Sequence, residues 1–536
     1  MSEILFGQAY FLKFDAKLWE TMQPYPPLGT LYAASFMRSY GYDVAMFDAM
    51  LAESEDEWAQ ALDRHKPRFA VLFEDNFNYL SKMCLLRMRQ AAFTMIAMAR
   101  QRGCTVIVCG ADATDHVAEY LGRGANYVLL GEGEATLLEL IDRLSGHTDI
   151  PLETILGLAY LPNDSNVLST DGLREGADRP VINLRRPDIR DLDSLPFPAW
   201  DLIDVSRYKA IWQEHHGYFS MNMVTTRGCP FHCNWCAKPI WGQRYNVRSP
   251  ENVARELKWL KDTYAPDHIW FMDDILGLKP GWLERFAGLV EADKTITPFK
   301  CLNRADLLLR AGEIEALRRA GCNMVWIGAE SGSQKVLDAM DKGTRVEQIG
   351  ESARRLHGAG IRVGFFLQFG YPGETMADIR KTMKMVREIR PDDIGISVSY
   401  PLPGTRFYEA VRLQLGAQHN WIDSSDLAML YQGSFSTAFY RQLHTIIHKQ
   451  FRLQKVWGRL MAKFMTRSFK SALLENKQSG PLRSLGLLFY YSVTLIPAGI
   501  KLFWLEHLPH QGSKVIPVSM GAESASQPSP QPDHSG

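Results

Sequence analysis

Thr225-Thr226-Arg227-Gly228-Cys229-Pro230-Phe231-His232-Cys233-Asn234-Trp235-Cys236 is the stretch around which this chain is organised. It follows a strand-like run at 222–226 and sets three cysteines in C-x3-C-x2-C spacing, so that their sulfurs can meet at one centre from a single loop. Structural zinc normally takes four protein ligands. The local cysteine count is three, and the remaining cysteines are 65 or more residues away (Cys301, Cys322) or in the amino-terminal part. A fourth ligand would have to be His232, or come from His215 and His216. Three thiols at one strand end would also be a wasteful way to fill a core. Three thiolates suit a cubane iron–sulfur cluster better, with one iron left for a ligand that is not protein.

Outward from this loop, strand-like runs recur at 268–272, 299–302, 323–328, 362–367 and 393–398, separated by helical patterns at 250–263, 280–292, 312–320, 346–358 and 375–388. Six strand–helix units over 219–410 predict a parallel barrel or partial (β/α)6 barrel, with its chemistry at the carboxyl ends of the strands. Those ends read Phe271-Met272-Asp273-Asp274, Asn303-Arg304-Ala305-Asp306, Ile327-Gly328-Ala329-Glu330, Phe369-Gly370-Tyr371-Pro372-Gly373 and Ser399-Tyr400-Pro401. A carboxylate such as Glu330 after an apolar strand is costly to bury unpaired, which marks it as a functional candidate.

Residues 1–150 alternate apolar runs (3–6, 43–47, 69–73, 105–109, 127–130) with helical patterns, the signature of a doubly wound α/β domain. Such sheets bind ligands beyond the carboxyl ends of their strands. These ends carry Pro26-Pro27-Leu28-Gly29, Gly110 to Thr114 and Gly131-Glu132-Gly133-Glu134. Turn chemistry over 151–218 reads as a linker with short strands. A helical region is expected over 411–511 and a disordered Ser/Pro/Gln-rich tail over 512–536. Within the helical region, 484–500 has no charge and is bounded by Arg483 and Lys501. Packing on the fold, an interfacial membrane contact and a true span are the three readings of it.

The chain has 536 residues, and 60 Lys+Arg balance 60 Asp+Glu. That length suits several domains, and neutral balance gives no electrostatic reason to bind nucleic acid. The first 30 residues show no basic segment followed by a long apolar one, so the cytoplasm is the expected compartment. Eight cysteines in so long a chain are too few for a disulfide scaffold.

The cysteine stretch, with Trp235 just before the third cysteine, resembles the signature of the radical S-adenosylmethionine (radical SAM) superfamily. The resemblance implies a [4Fe–4S] cluster on Cys229, Cys233 and Cys236 whose open iron is chelated by the amino and carboxylate groups of SAM. Reduction then splits SAM to methionine and a 5′-deoxyadenosyl radical. It further implies that Gly328, Glu330, Gly370 and Pro401 line the SAM site. Arg304 is a candidate partner of the SAM carboxylate, an ion pair with Asp306 being the alternative. Many relatives have Gly-Gly-Glu where this chain has Met272-Asp273-Asp274, so the acidic pair reads only as facing the barrel mouth.

A doubly wound domain ahead of such a barrel resembles the cobalamin-binding domain of the cobalamin-dependent branch, which includes C-methyltransferases and the anaerobic magnesium-protoporphyrin ester cyclase. Gly110, Thr114, Gly131 and Glu132 are then the candidate corrin contacts. The cobalt-ligating Asp-x-His-x-x-Gly is absent, and Asp115-His116 does not have its spacing. The function expected is reductive SAM cleavage, with cobalamin, to methylate or cyclise an unactivated carbon of a hydrophobic small molecule. The expected reductant is a flavodoxin or ferredoxin, no nucleic acid is involved, and 484–505 offers a peripheral membrane contact. The alternatives are a cobalamin-independent radical SAM oxidoreductase or methylthiotransferase, and a zinc-stabilised scaffold.

Overall fold

The computed structural model describes residues 2–78, 83, 85–162, 179–236, 240–465 and 481–507. The tail expected over 512–536 lies outside the described residues, as does Cys84. In the amino-terminal sheet, β1 (Ile4–Gly7), β2 (Val44–Met46), β3 (Phe69–Phe73), β4 (Thr105–Cys109) and β5 (Tyr127–Leu129) are all parallel, in the order β2-β1-β3-β4-β5. Side-chain alternation along each strand supplies two separate cores. Leu5, Ala70, Leu72, Val106 and Val108 pack with Trp58 and Met95 on one face. Ile4, Phe6, Val71, Ile107 and Leu129 pack with Met37, Leu137 and Leu140 on the other. Burial on both faces is why these strands read as unbroken apolar runs. The strand order reverses between β1 and β3, which is where a sheet of this topology opens its ligand crevice.

Residues 151–218, expected to be a linker, do more than connect. Here β6 (Leu158–Tyr160) and β7 (Val181–Ile182) extend the first sheet beyond β5, both antiparallel. Helix Val205–His216 then docks against the loop before Leu28, where Trp212 Nε1 donates to Pro24 O (2.7 Å). Pro- and Gly-rich turns hid these pieces because each strand is too short to show a period.

The second sheet contains β8 (Ser220–Met223), β11 (His268–Phe271), β12 (Phe299–Asn303), β13 (Cys322–Glu330), β14 (Arg362–Phe369) and β15 (Asp393–Val398), parallel and in sequential order. It is an open half-barrel. A small antiparallel ribbon, β9 (Thr226–Arg227) with β10 (Asn246–Val247), brackets the cysteine loop. Ile269, Phe271, Val325, Ile327, Val363 and Phe365 face the covering helices and form one large core. Residues of opposite parity (Trp270, Lys300, Trp326, Phe366) face the concave side. The covering helices start where the sequence signals. Pro250–Tyr264 begins at Ser249, whose side chain accepts from Asn252 N (3.0 Å), and Met376–Ile389 begins in a Thr375/Asp378 capping box.

The carboxyl-terminal region is helical from Thr437, in Thr437–Met465 and Pro481–His507. Residues 415–436 instead form an irregular strap whose polar groups bond elsewhere. Asn420 Nδ2 donates to Tyr400 Oη (3.0 Å) at the end of β15, while Arg89 of the first domain donates to Asn420 Oδ1 (3.3 Å). Leu86 N donates to Trp421 O (2.9 Å), and Ser424 Oγ donates to Asp15 (2.7 Å). The strap therefore ties the last barrel strand to the amino-terminal domain.

Candidate active site at the mouth of the half-barrel

The cysteine loop leaves β9 through Gly228, whose φ of +82° and crowding exclude a side chain: a Cβ there would sit 2.3 Å from Arg244 O. Gly228→Ala should cost about 1–3 kcal/mol of strain and displace Cys229. Iron bound per chain after anaerobic reconstitution is the measurement, and a full complement would refute the constraint. Asn234 pins the other end of the loop. Its Nδ2 donates to Ala339 O (2.7 Å), Tyr371 Oη donates to its Oδ1 (2.8 Å), and Phe407 N donates to its backbone oxygen (3.0 Å). Cys229, Cys233 and Cys236 are half-buried, whereas Cys104, Cys109, Cys301 and Cys322 are buried in the cores. Sequence reasoning singled out the thiols and missed Asn234, although its place between two of them was the available signal.

Two cations stand beside the loop. Arg304 is 4% exposed and stacks its guanidinium 3.6 Å from the centre of the Phe231 ring. Its Nε donates to Asp306 (3.0 Å), Nη2 to Lys342 O (2.8 Å), and Nη1 points toward Cys233 Sγ at 3.8 Å. The ion pair with Asp306 is thus formed, but inside the structure and next to a thiol. Lys342 Nζ pairs with Glu330 Oε1 at 2.9 Å. Burial works against the Lys342 ammonium, yet Glu330 and Cys233 more than offset it and hold its pKa above the usual value. Register shifts between Gly328 and Glu330, and Glu330 adopts φ +54°. This bulge turns the carboxylate toward Lys342. A Cβ on Gly328 would lie 2.7 Å from Lys342 Nζ, so the glycine makes room for the pair. Lys342 was not a sequence candidate, since it lies on the connection after β13.

The strand-end acids divide the work. Asp273, read as facing the mouth, instead turns inward and is buried. It accepts from Thr225 N (2.8 Å), Thr225 Oγ1 (3.1 Å) and Thr226 Oγ1 (2.6 Å), and burial raises its pKa to about 6. Asp274 is the exposed member of the pair. Gly370 (φ +80°) donates its N–H to Glu374 Oε2 (2.6 Å), and burial raises the Glu374 pKa to about 8. Pro401 is buried beside Tyr400 at the end of the same sheet. Met429 and Tyr440 cover Gly370 from the strap side, at 3.0 and 3.2 Å from a Cβ placed there.

The candidate corrin residues split between the edge of the first sheet and the domain junction. Gly110 abuts Glu74, and Thr114 Oγ1 donates back to Gly110 O (2.8 Å). Among the described residues no atom comes closer than 3.8 Å to a Cβ placed on Gly131 (φ +87°). Glu132 and its neighbour Glu134 both turn on Arg227, at 3.1 and 2.6 Å. Burial raises the Glu132 pKa, only partly opposed by Arg227. The acids of the first domain therefore hold the residue that immediately precedes Gly228-Cys229. Pro26 O accepts from Asn222 Nδ2 of β8 (2.9 Å), so the Pro26–Gly29 loop also meets the barrel.

At the β1/β3 crevice Glu74 accepts from Ala9 N at 3.0 and 3.2 Å, and burial raises its pKa to about 8. An acid whose folded pKa exceeds its unfolded one stabilises fully below the unfolded value, and that contribution is lost as pH rises through the folded value. Stability should fall between about pH 4.5 and 8. Glu74→Gln should flatten this decline and raise the melting temperature at pH 8.5 but not at pH 4. An unchanged profile would show that Glu74 ionises at its usual pH.

Do these residues suit an iron–sulfur cluster, SAM and a corrin? Among the described residues no three His, Cys, Asp or Glu side chains converge on one centre, so Cys229, Cys233 and Cys236 share the loop without being gathered on a common point. Of the histidines weighed for zinc, His232 and His215 are exposed and His216 Nε2 is bonded to Met22 O (2.8 Å). Three partly exposed thiols with two cations beside them suit a thiolate-held cluster and an anionic ligand. Asn76 Oδ1, Asn222 Oδ1, Asp273 Oδ2 and Trp235 Nε1 are buried with no hydrogen-bond partner among the described residues. Such orphans are rare unless a ligand or water completes them. They belong to the end of β3, to β8, to the turn after β11 and to the cysteine loop. The residues fit the groups.

Residues 223–386 match the radical SAM superfamily. The chain is 26% identical over 404 residues to an uncharacterized methyltransferase of Pyrococcus horikoshii, covering 74% of this chain and 81% of that protein. It is 24% identical over 388 residues to the anaerobic magnesium-protoporphyrin IX monomethyl ester cyclase of Synechocystis, covering 72% of each. The fold resembles TsrM of Kitasatospora setae, a radical SAM methyltransferase solved with cobalamin and a [4Fe–4S] cluster. That match has a TM-score of 0.57 at 18% identity, over 74% of this chain and 72% of TsrM. It also resembles the cobalamin-dependent radical SAM enzyme OxsB, with a TM-score of 0.63 at 15% identity, over 94% of this chain and 72% of OxsB. The chain is an enzyme that carries a radical SAM domain at residues 223–386 and is similar over about three quarters of its length to a methyltransferase and a cyclase.

Proposed function

We propose that the enzyme binds a [4Fe–4S] cluster on Cys229, Cys233 and Cys236, SAM beside it, and cobalamin against the amino-terminal domain. With these it would methylate or cyclise an unactivated carbon of a hydrophobic substrate. The observation that carries the reading is the three-thiol loop flanked by Arg304 and Lys342. When bound, the cluster and the corrin supply one-electron and methyl-carrying chemistry, and the protein's part is placement and exclusion of water. Arg304 offers its guanidinium edge to a carboxylate near Cys233. Glu330, held by Lys342 on its bulge, would accept from ribose hydroxyls. Gly328, Gly370 and Pro401 complete the wall. Gly110, Thr114 and Gly131 would meet a corrin edge, while Glu132 positions Arg227.

An apolar substrate is supported by the concave face. The Trp326 and Phe366 rings stack at 4.6 Å and 23°, and Phe366 is 37% exposed. Gly364 and Gly395 let these rings lie flat, since a Cβ on either would sit 2.5 or 3.0 Å from a ring carbon. Lys300, 4.5 Å from the Trp270 ring centre, adds a cation to this wall. A flavodoxin or ferredoxin is the proposed reductant, and 484–505 the proposed peripheral membrane contact. The test is anaerobic incubation with methyl-labelled SAM, hydroxocobalamin, reductant and fractionated lipophilic extract. Labelled or cyclised lipophilic product dependent on cobalamin supports the reading. 5′-Deoxyadenosine formation with no retained corrin would reject the cobalamin part.

A further inference from the structure

Among the described residues nothing covers the outer face of helix Pro481–His507, which is an apolar stripe. Leu485, Phe489, Val493, Ile496, Ile500 and Phe503 are all exposed, Phe489 at 73%, and Trp504 beside them is 66% exposed. Their spacing of 4, 4, 3, 4 and 3 follows the helical repeat, so they form one straight line down the helix. The opposite face is committed to the protein. Ala498 and Leu502 are buried, Gln442 Nε2 of helix Thr437–Met465 donates to Ala498 O (2.9 Å), and Glu506 lies 3.8 Å from Arg380 of the barrel helix Met376–Ile389.

Charge says what covers the stripe. Helix Thr437–Met465 has six Lys or Arg and no acid, and Pro481–His507 adds Arg483 and Lys501 against Glu506 alone. In a chain whose net charge is zero, these two helices together carry a formal excess of seven positive charges (eight basic residues less one acid), of which Arg441 is paired with Asp426 of the strap at 2.8 Å. An apolar aromatic stripe set in a cationic hairpin is complementary to an anionic bilayer surface. We propose that this hairpin seats the enzyme on an anionic membrane, with the stripe sunk to the depth of the headgroups. Ser484–His507 is long and apolar enough to cross a membrane. However, exposed Lys501, the Glu506–Arg380 pair and the packed inner face hold it on the soluble fold, so it lies along the surface. The inference deepens the membrane contact proposed above and rests on it, while standing apart from the radical chemistry.

The test is flotation of the full-length protein with vesicles of phosphatidylcholine alone, or of phosphatidylcholine mixed with phosphatidylglycerol. The protein should float with the mixed vesicles, lose binding as salt rises, and lose on the order of a hundredfold in partitioning when Phe489→Ser, Ile496→Ser and Phe503→Ser are combined. These residues are exposed, so SAM cleavage by the variant should match the parent and certify its fold. Equal binding to both vesicles, or binding indifferent to the triple variant, would overturn the anionic stripe and leave a membrane contact standing. No binding to either vesicle would overturn both. A concentration-dependent dimer, broken by the triple variant without vesicles, would assign the stripe to a second copy instead.

Discussion

Alanine at Cys229, Cys233 or Cys236 is expected to take bound iron from about four atoms per chain to near zero, and 5′-deoxyadenosine formation with it. On the proposed assignment each thiolate would hold its own iron, and the loop has no other thiol among residues 225–236. The remaining described cysteines are locked in cores, Cys301 between β12 and the helices and Cys109 behind Gly133, where a Cβ would come within 2.4 Å of its sulfur. Cys301→Ala and Cys104→Ala are the matched controls and should retain full iron. Iron surviving in any of the three loop variants would move the ligand set elsewhere.

The second large effect is expected at Arg227, which sequence inspection passed over. Its guanidinium is buried between Glu132 and Glu134, so Arg227→Met leaves two carboxylates facing each other with no cation. Removing one partner of a buried ion network costs roughly 3–5 kcal/mol. Burial already raises the Glu132 pKa, and loss of Arg227 raises it further. Because the folded pKa then exceeds the unfolded one, the destabilisation should be small below about pH 4.5 and grow as pH rises. Denaturant unfolding at several pH values measures it. Adding Glu132→Gln and Glu134→Gln should restore most of the stability, and failure to restore it would deny the coupling. Iron loading should fall in Arg227→Met even where the protein is folded, since the next two residues are Gly228 and Cys229.

Much of this was legible in the sequence because its signals are local. Apolar runs mark the five parallel strands of the first sheet and the six of the second, and helical patterns such as 250–263 and 375–388 separate strands of the second sheet. The C-x3-C-x2-C spacing marks the loop outright. What could not be read is whatever depends on partners distant in the chain. Glu132 and Glu134 resemble a ligand-binding turn until Arg227, 95 and 93 residues away, is seen between them. Arg304 presented two alternatives, a ligand partner or an ion pair with Asp306. The structure forms the ion pair and also sets another nitrogen of the same side chain 3.8 Å from Cys233 Sγ. Glu330 was picked out for the cost of burying it, but its partner Lys342 and the bulge that aims it are tertiary facts. The strap at Asn420 has no period of its own, because its hydrogen bonds are spent on Tyr400 and Arg89.

The most direct test is electron paramagnetic resonance of the anaerobically reduced, full-length protein before and after SAM is added. A [4Fe–4S] cluster on three thiolates should give a reduced-cluster signal that changes shape when SAM binds, followed by 5′-deoxyadenosine in the quenched sample. Colourless protein with one zinc per chain, or a signal that SAM leaves untouched with no 5′-deoxyadenosine formed, would contradict the account.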